Sequence, residues 1–145
     1  MKRKANAIWN GTGKEGQGYL TGPSGVLNKT PYSFKARFEN EDGKAGTNPE
    51  ELIAAAHAGC FAMALSFAIQ EAGHKADELN VDATVTVDQH DSGFSFTGIN
   101  LNLKGKVSGM TEDKFKELAN GAKAGCPVSK ALKAVPITLD ISFES

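Results

Sequence analysis

Apolar residues recur along this chain in two rhythms. In VDATVTVD, Val81, Ala83, Val85 and Val87 share one face, and in INLNLKGKV, Ile99, Leu101, Leu103 and Val107 do. Alternation of this length predicts strands with one buried face. QHDSGFSF between them predicts a hairpin connection. ANAIW and GYLT predict two earlier strands around the glycine-rich turn GTGKEGQG, and ITLDISF predicts a last one. YSFKARF also alternates. Tyr32, Phe34, Ala36 and Phe38 fall on one face and Ser33, Lys35 and Arg37 on the other, so a strand is predicted there too.

The second rhythm is helical. In TEDKFKELANGAK, Thr111 is a capping residue, acids fill the first turn, and Phe115, Leu118, Ala119 and Ala122 form an apolar stripe ending at Gly125. CPVSKALK predicts a short helix after it. The longest prediction is a helix over roughly residues 49–72. Asn48 suits the N-cap, Pro49 the first position, Glu51 the capping-box acid, and Gly73 the stop. This helix is apolar nearly all round, which predicts burial. Ala54, Ala55, Ala56, Ala58 and Gly59 would let another helix approach closely. One chain has little material to surround such a helix, which points to a partner subunit. The order strands, helix, strands, helices, strand predicts an α+β fold.

Composition narrows the function classes. The length of 145 residues suits a single domain over 1–145. A net charge of −1 lacks the basic footprint of nucleic-acid binding. No apolar run is expected to reach the ~18 residues of a membrane span without polar interruption. MKRKANAIWN starts basic with no apolar segment behind it, so no signal peptide is read and a cytoplasmic location is expected. Cysteines in that compartment stay reduced. The two here lie 66 residues apart, which excludes a CxxC motif and a zinc knuckle. Inert packing, catalysis or redox work remain. GTGKEG matches GxGxxG, but a strand-like segment follows where a helix should, so it reads as a hairpin.

Five residues stand out. Cys126 precedes Pro127 at a helix start, where free N–H groups favour a thiolate, although it also suits a plain cap. Cys60 lies mid-helix, where burial makes a thiol inert unless a cation comes near. His57, three residues earlier, is either a base for it or a packed, hydrogen-bonded histidine. Arg37 and Glu50 have ordinary readings as a solvated strand residue and a dipole-stabilised acid. Phe61 and Met63 read as core residues, or as walls of a substrate pocket.

Taken together, SGVLNKTPYSFKARFE, GTNPEELIAAAHAGCFAMALS and KAGCPVSKALKA resemble the OsmC/Ohr family (osmotically inducible protein C and organic hydroperoxide resistance protein). The resemblance covers essentially the whole chain and is nearer the OsmC branch. It implies an intertwined homodimer with long central helices packed against antiparallel sheets, and thiol-dependent reduction of organic hydroperoxides. It also implies that Cys60 attacks the peroxide, Cys126 resolves it, and Arg37 and Glu50 complete the site. No metal or flavin is required. A dithiol recycles the enzyme, and in the Ohr branch lipoyl proteins serve.

This reverses the local reading, in which Cys126 is the more acidic thiol. The two agree only if Arg37 reaches Cys60 and offsets its burial. Helix geometry adds a constraint. Glu50 and Cys60 are about 15 Å apart along an unbroken helix. Glu50 is therefore expected to serve Cys60 of the other subunit. Two other classes remain open at this point: a Cys/His hydrolase or acyl-transfer enzyme using Cys60 and His57, and a non-enzymatic stress or ligand-binding dimer.

Overall fold

The computed structural model describes residues 1–145, which divide into two compact units, 1–52 and 53–145. In the first unit, β1 (Asn6–Asn10), β2 (Gln17–Thr21) and β3 (Thr30–Ser33) form an antiparallel meander. The GTGKEG segment joins β1 to β2 as a turn, with the Gly16 N–H donating to the Thr12 carbonyl at 2.8 Å.

The strand predicted for YSFKARF does not form as such. β3 stops at Ser33, and Phe34–Phe38 is a short helix, α1. The Ser33 hydroxyl caps it by accepting from the Ala36 N–H at 3.0 Å. Phe34 and Phe38, four apart, then meet on one side with ring centroids 5.0 Å apart. A short alternating run with a Ser at its head satisfies either period, and the cap decides it.

α2 (Pro49–Glu71) begins in the first unit and runs through the second. Its N-cap and its glycine stop are built as the sequence predicts, but the capping-box bond expected of Glu51 does not form. Asn48 Oδ1 accepts from the Glu51 N–H at 2.8 Å. Glu51 itself turns to the Thr47 hydroxyl, accepting at 3.0 Å. At the far end Gly73 takes φ 84°, a left-handed conformation that suits glycine, while the His74 N–H donates to the Ile69 carbonyl.

The expectation that no segment is apolar enough to span a bilayer is corrected by α2. It is sufficient by length and composition, because no charged residue falls between Leu52 and Gln70. A core helix passes the same test, and α2 does bury one row, His57, Phe61, Leu65 and Ile69. Burial all round is not seen within the chain. The opposite row, Ala56, Gly59, Met63 and Phe67, is exposed.

In the second unit, β4 (Glu78–His90) and β5 (Gly93–Lys106) make the predicted hairpin, with a register shift at Thr86/Val87. α3 (Glu112–Gly125) and α4 (Pro127–Ala131) follow, and β6 (Ile137–Glu144) returns beside β5. β6 runs parallel to β5, so this sheet is mixed rather than antiparallel throughout. The two helices supply the crossover that a parallel pair needs. Ile99, Leu101, Leu103 and Val107, with Phe115, Ala119 and Ala122 of α3, pack with Phe61, Leu65 and Ile69 of α2 in one apolar cluster. Each large side chain buried this way contributes about 1.5–3 kcal/mol. Cys126 belongs to the same cluster.

Candidate active site

The four predicted site residues form two pairs, one in each unit. In the first unit α1 presents Arg37 and the first turn of α2 presents Glu50. Arg37 Nη2 donates to Glu50 Oε1 at 2.6 Å, and Nε donates to Oε1 and Oε2 at 3.1 and 3.2 Å. This forked contact fixes the guanidinium plane. Arg37 is therefore on a helix and ion-paired, with its side chain 30% exposed, which corrects the ordinary reading of it as a solvated strand residue.

The guanidinium lies 4.6 Å from the centre of the Phe38 ring. Beside it is a cavity of about 160 Å³ lined by Trp9, Tyr32, Phe34, Phe38 and Arg37 among others. Trp9 and Tyr32 carried no recognisable signal in the sequence. β1 and β3 both pair with β2, and the two rings meet across it at 5.3 Å. Neither Phe61 nor Met63 lines this cavity. Phe61 is fully buried in the core, and Met63 is 63% exposed on α2.

In the second unit the two sulfurs meet. Cys60 and Cys126 are both free thiols, with their Sγ atoms 3.0 Å apart. Cys60 is half-buried, whereas Cys126 is fully buried between the end of α3 and the start of α4. Burial pushes the Cys60 thiol above the ordinary range, its hydrogen bond with Cys126 adds to this, and the Val128 backbone N–H opposes it. Burial would push Cys126 up as well. Its hydrogen bond with Cys60, those from the Ser129 and Val128 backbone N–H groups and the influence of the Ser129 hydroxyl instead bring it below the ordinary range. Within one chain, then, the more acidic thiol is Cys126, as its place at a helix start suggests.

His57 is fully buried, and its Nε2 lies 2.7 Å from Ser129 Oγ. Burial lowers its pKa, so the imidazole is neutral at pH 7. This matches the packed, hydrogen-bonded reading of His57. Ser129 was not singled out in the sequence, although its place three residues after Cys126 at a helix start was available as a signal. No group of three or more His, Cys, Asp or Glu side chains is placed to hold a metal ion.

A sequence model of the family described as OsmC-like protein matches residues 41–140. The chain belongs to the OsmC family. Peroxiredoxin OsmC of Escherichia coli (strain K12) is 48% identical over 145 residues, covering 100% of this chain and 99% of that one. Organic hydroperoxide resistance protein OhrB of Bacillus subtilis (strain 168) is 31% identical over 128 residues, covering 88% of each chain. The OsmC fold is equally evident in three dimensions. The crystal structure of OhrB of Bacillus subtilis superposes with a TM-score of 0.70 at 28% identity, covering 96% of this chain and 98% of that one.

Proposed function

We propose that this OsmC-family protein is a thiol peroxidase that reduces organic hydroperoxides to alcohols. The approach of Cys60 and Cys126 Sγ to 3.0 Å carries the reading, because a sulfenic acid on one sulfur needs the other within reach. The relatives named for peroxiredoxin and hydroperoxide resistance activity support it.

In this mechanism the Cys60 thiolate attacks the outer peroxide oxygen. The O–O bond breaks, an alcohol leaves, and Cys60 becomes a sulfenic acid. Arg37 lowers the cost of the Cys60 thiolate and stabilises charge on the departing alkoxide. Glu50 holds the guanidinium by the forked contact. The aromatic cavity beside Arg37 takes the organic part of the peroxide. Cys126 then closes the disulfide, and a dithiol, such as a lipoyl protein in the reducing cytoplasm, reopens it.

The unit that does this is a homodimer with composite sites. Glu50 and Cys60 stand about 15 Å apart along α2. The Arg37–Glu50 pair therefore serves the partner subunit's Cys60. The exposed row Ala56, Gly59, Met63 and Phe67 supplies an apolar seam for a second α2, and the whole chain acts as one OsmC-like domain within the pair.

Free thiols titrated before and after stoichiometric cumene hydroperoxide test the proposal. The expected result is loss of both thiols in the wild type, a trappable sulfenic acid in Cys126→Ser, and no fast reaction in Cys60→Ser. A wild type that keeps both thiols would refute the peroxidase reading, and would leave a hydrolase or an inert dimer.

A further inference from the structure

One buried titratable side chain has no part in that mechanism. His57 is fully buried in the middle of α2, with Nε2 2.7 Å from Ser129 Oγ. Its Nδ1 is buried with no hydrogen-bond partner. Ser129 stands three residues after Cys126 in the first turn of α4, where its hydroxyl is among the groups that bring Cys126 below the ordinary thiol range, and Cys126 Sγ lies 3.0 Å from Cys60 Sγ. Two close pairs, His57 with Ser129 and Cys126 with Cys60, thus stand together at the start of α4 in an otherwise apolar core.

We propose that His57, acting through Ser129, receives the proton that Cys126 must lose before it can close the disulfide with Cys60. The proposal rests on the assignment of Cys60 and Cys126 as attacking and resolving sulfurs.

The need arises from burial. A thiol attacks a sulfenic acid only as its thiolate. Cys126 is shut off from solvent, so its proton has no direct route to water. A serine hydroxyl has one proton and two acceptor positions. In the dithiol the Cys126 S–H donates to Cys60 Sγ; once Cys60 is oxidised that S–H can turn to the Ser129 hydroxyl while Ser129 donates to His57 Nε2. A neutral imidazole that accepts at Nε2 carries its proton on Nδ1, the ring atom found without a partner. Two short proton shifts then leave a Cys126 thiolate, a Ser129 hydroxyl donating to it, and a protonated His57. Burial keeps His57 neutral at rest, and therefore ready to accept. The titratable groups linked to it in this chain are Cys126 and, beyond it, Cys60.

The step balances without an outside reagent. The Cys126 thiolate donates its electron pair to the Cys60 sulfur, an S–S bond forms and the S–O bond breaks. Hydroxide leaves with the electrons of that bond and is neutralised by the proton that His57 gives up. Cys126 is oxidised, the sulfenic sulfur is reduced, and one water is released.

The test follows the sulfenic acid on Cys60 after a single turnover with cumene hydroperoxide. Dimedone traps the sulfenic acid, and mass spectrometry after thiol alkylation counts the disulfide. Wild type, His57→Gln, Ser129→Ala and the double variant are compared at pH 7 and pH 9. Glutamine keeps a hydrogen bond to Ser129 but removes the basic nitrogen, so a purely packing role predicts closure near the wild-type rate. A proton-accepting role predicts closure slowed about 10²-fold at pH 7. The sulfenic acid should accumulate, the rate should recover largely at pH 9, and the double variant should be no slower than either single one. Closure at the wild-type rate in either single variant overturns the proposal. Ser129→Ala decides the matter if His57→Gln does not fold. No sulfenic acid in Cys126→Ser would instead sink the peroxidase assignment, a separable outcome.

Discussion

Arg37 grips Glu50 through two different nitrogens, with its shortest contact, Nη2 to Oε1, at 2.6 Å. The Glu50 and Arg37 side chains are 13% and 30% exposed, so the pair is partly sheltered from the solvent screening that weakens surface ion pairs. A lysine would keep the charge and lose the fork. Arg37→Lys and Glu50→Gln are expected to lower the second-order rate of Cys60 oxidation by cumene hydroperoxide about 10²-fold. Stopped-flow kinetics checks this, and a change of less than twofold in both variants would remove the pair from the mechanism.

Cys60 within a single chain is held above the ordinary thiol range, chiefly by burial. In the proposed composite site a cation brought by the partner would lower it, and removing that cation would restore the effect of burial. Alkylation of Cys60 by iodoacetamide in a Cys126→Ser background should rise with pH, because the thiolate reacts. Its midpoint should move to higher pH in Arg37→Ala. An unchanged midpoint would mean that the guanidinium does not act on this sulfur.

His57 has a folded pKa below its unfolded value because it is buried. Between those two values the unfolded chain binds the extra proton, so stability rises with pH. The stability held above about pH 6.5, the unfolded histidine value, is lost as the pH falls through that window. Urea midpoints for the wild type should decline on acidification from pH 7 to pH 5, and the decline should be shallower in His57→Gln. Identical slopes would show that His57 is already free to charge in the native state.

Gly105 on β5 lies directly under Phe115. A Cβ there would fall 2.0 Å from the ring's Cζ, and Phe115 stacks on Phe143 at 4.6 Å, so the ring has little room to retreat. Gly105→Ala is expected to cost about 1–3 kcal/mol by overpacking. Gly59→Ala meets nothing within 4 Å in the chain and lies mid-helix, so it should stabilise the chain by about 0.5–1 kcal/mol.

The exposed apolar row of α2 gives the dimer a direct test. Met63 and Phe67 are 63% and 59% exposed within the chain, so charges there disturb no internal packing. Met63→Asp and Phe67→Asp should shift the protein to monomer in analytical ultracentrifugation, leave its far-ultraviolet circular dichroism intact, and abolish rapid peroxide reduction together with the dimer. Full activity in a monomer would end the composite-site reading.

Interactions between residues four apart or fewer were legible before any fold was known. Asn48 and Gly73 set the ends of α2, Thr111 sets the start of α3, and alternation sets β4, β5 and β6. The same short range misled at YSFKARF, where two periods fitted one heptapeptide and Ser33 chose the helix. Tertiary structure alone decided the rest. It set β6 parallel to β5, brought Trp9 against Tyr32 beside the Arg37 cavity, and joined His57 to Ser129 across 72 residues. A family resemblance implied the meeting of Cys60 and Cys126, but no local pattern did. The physical reason is one of range. Caps and periodicity are written in neighbouring residues, whereas contacts between distant segments exist only once the apolar faces of α2, α3 and the sheet have packed and fixed where each chain segment passes.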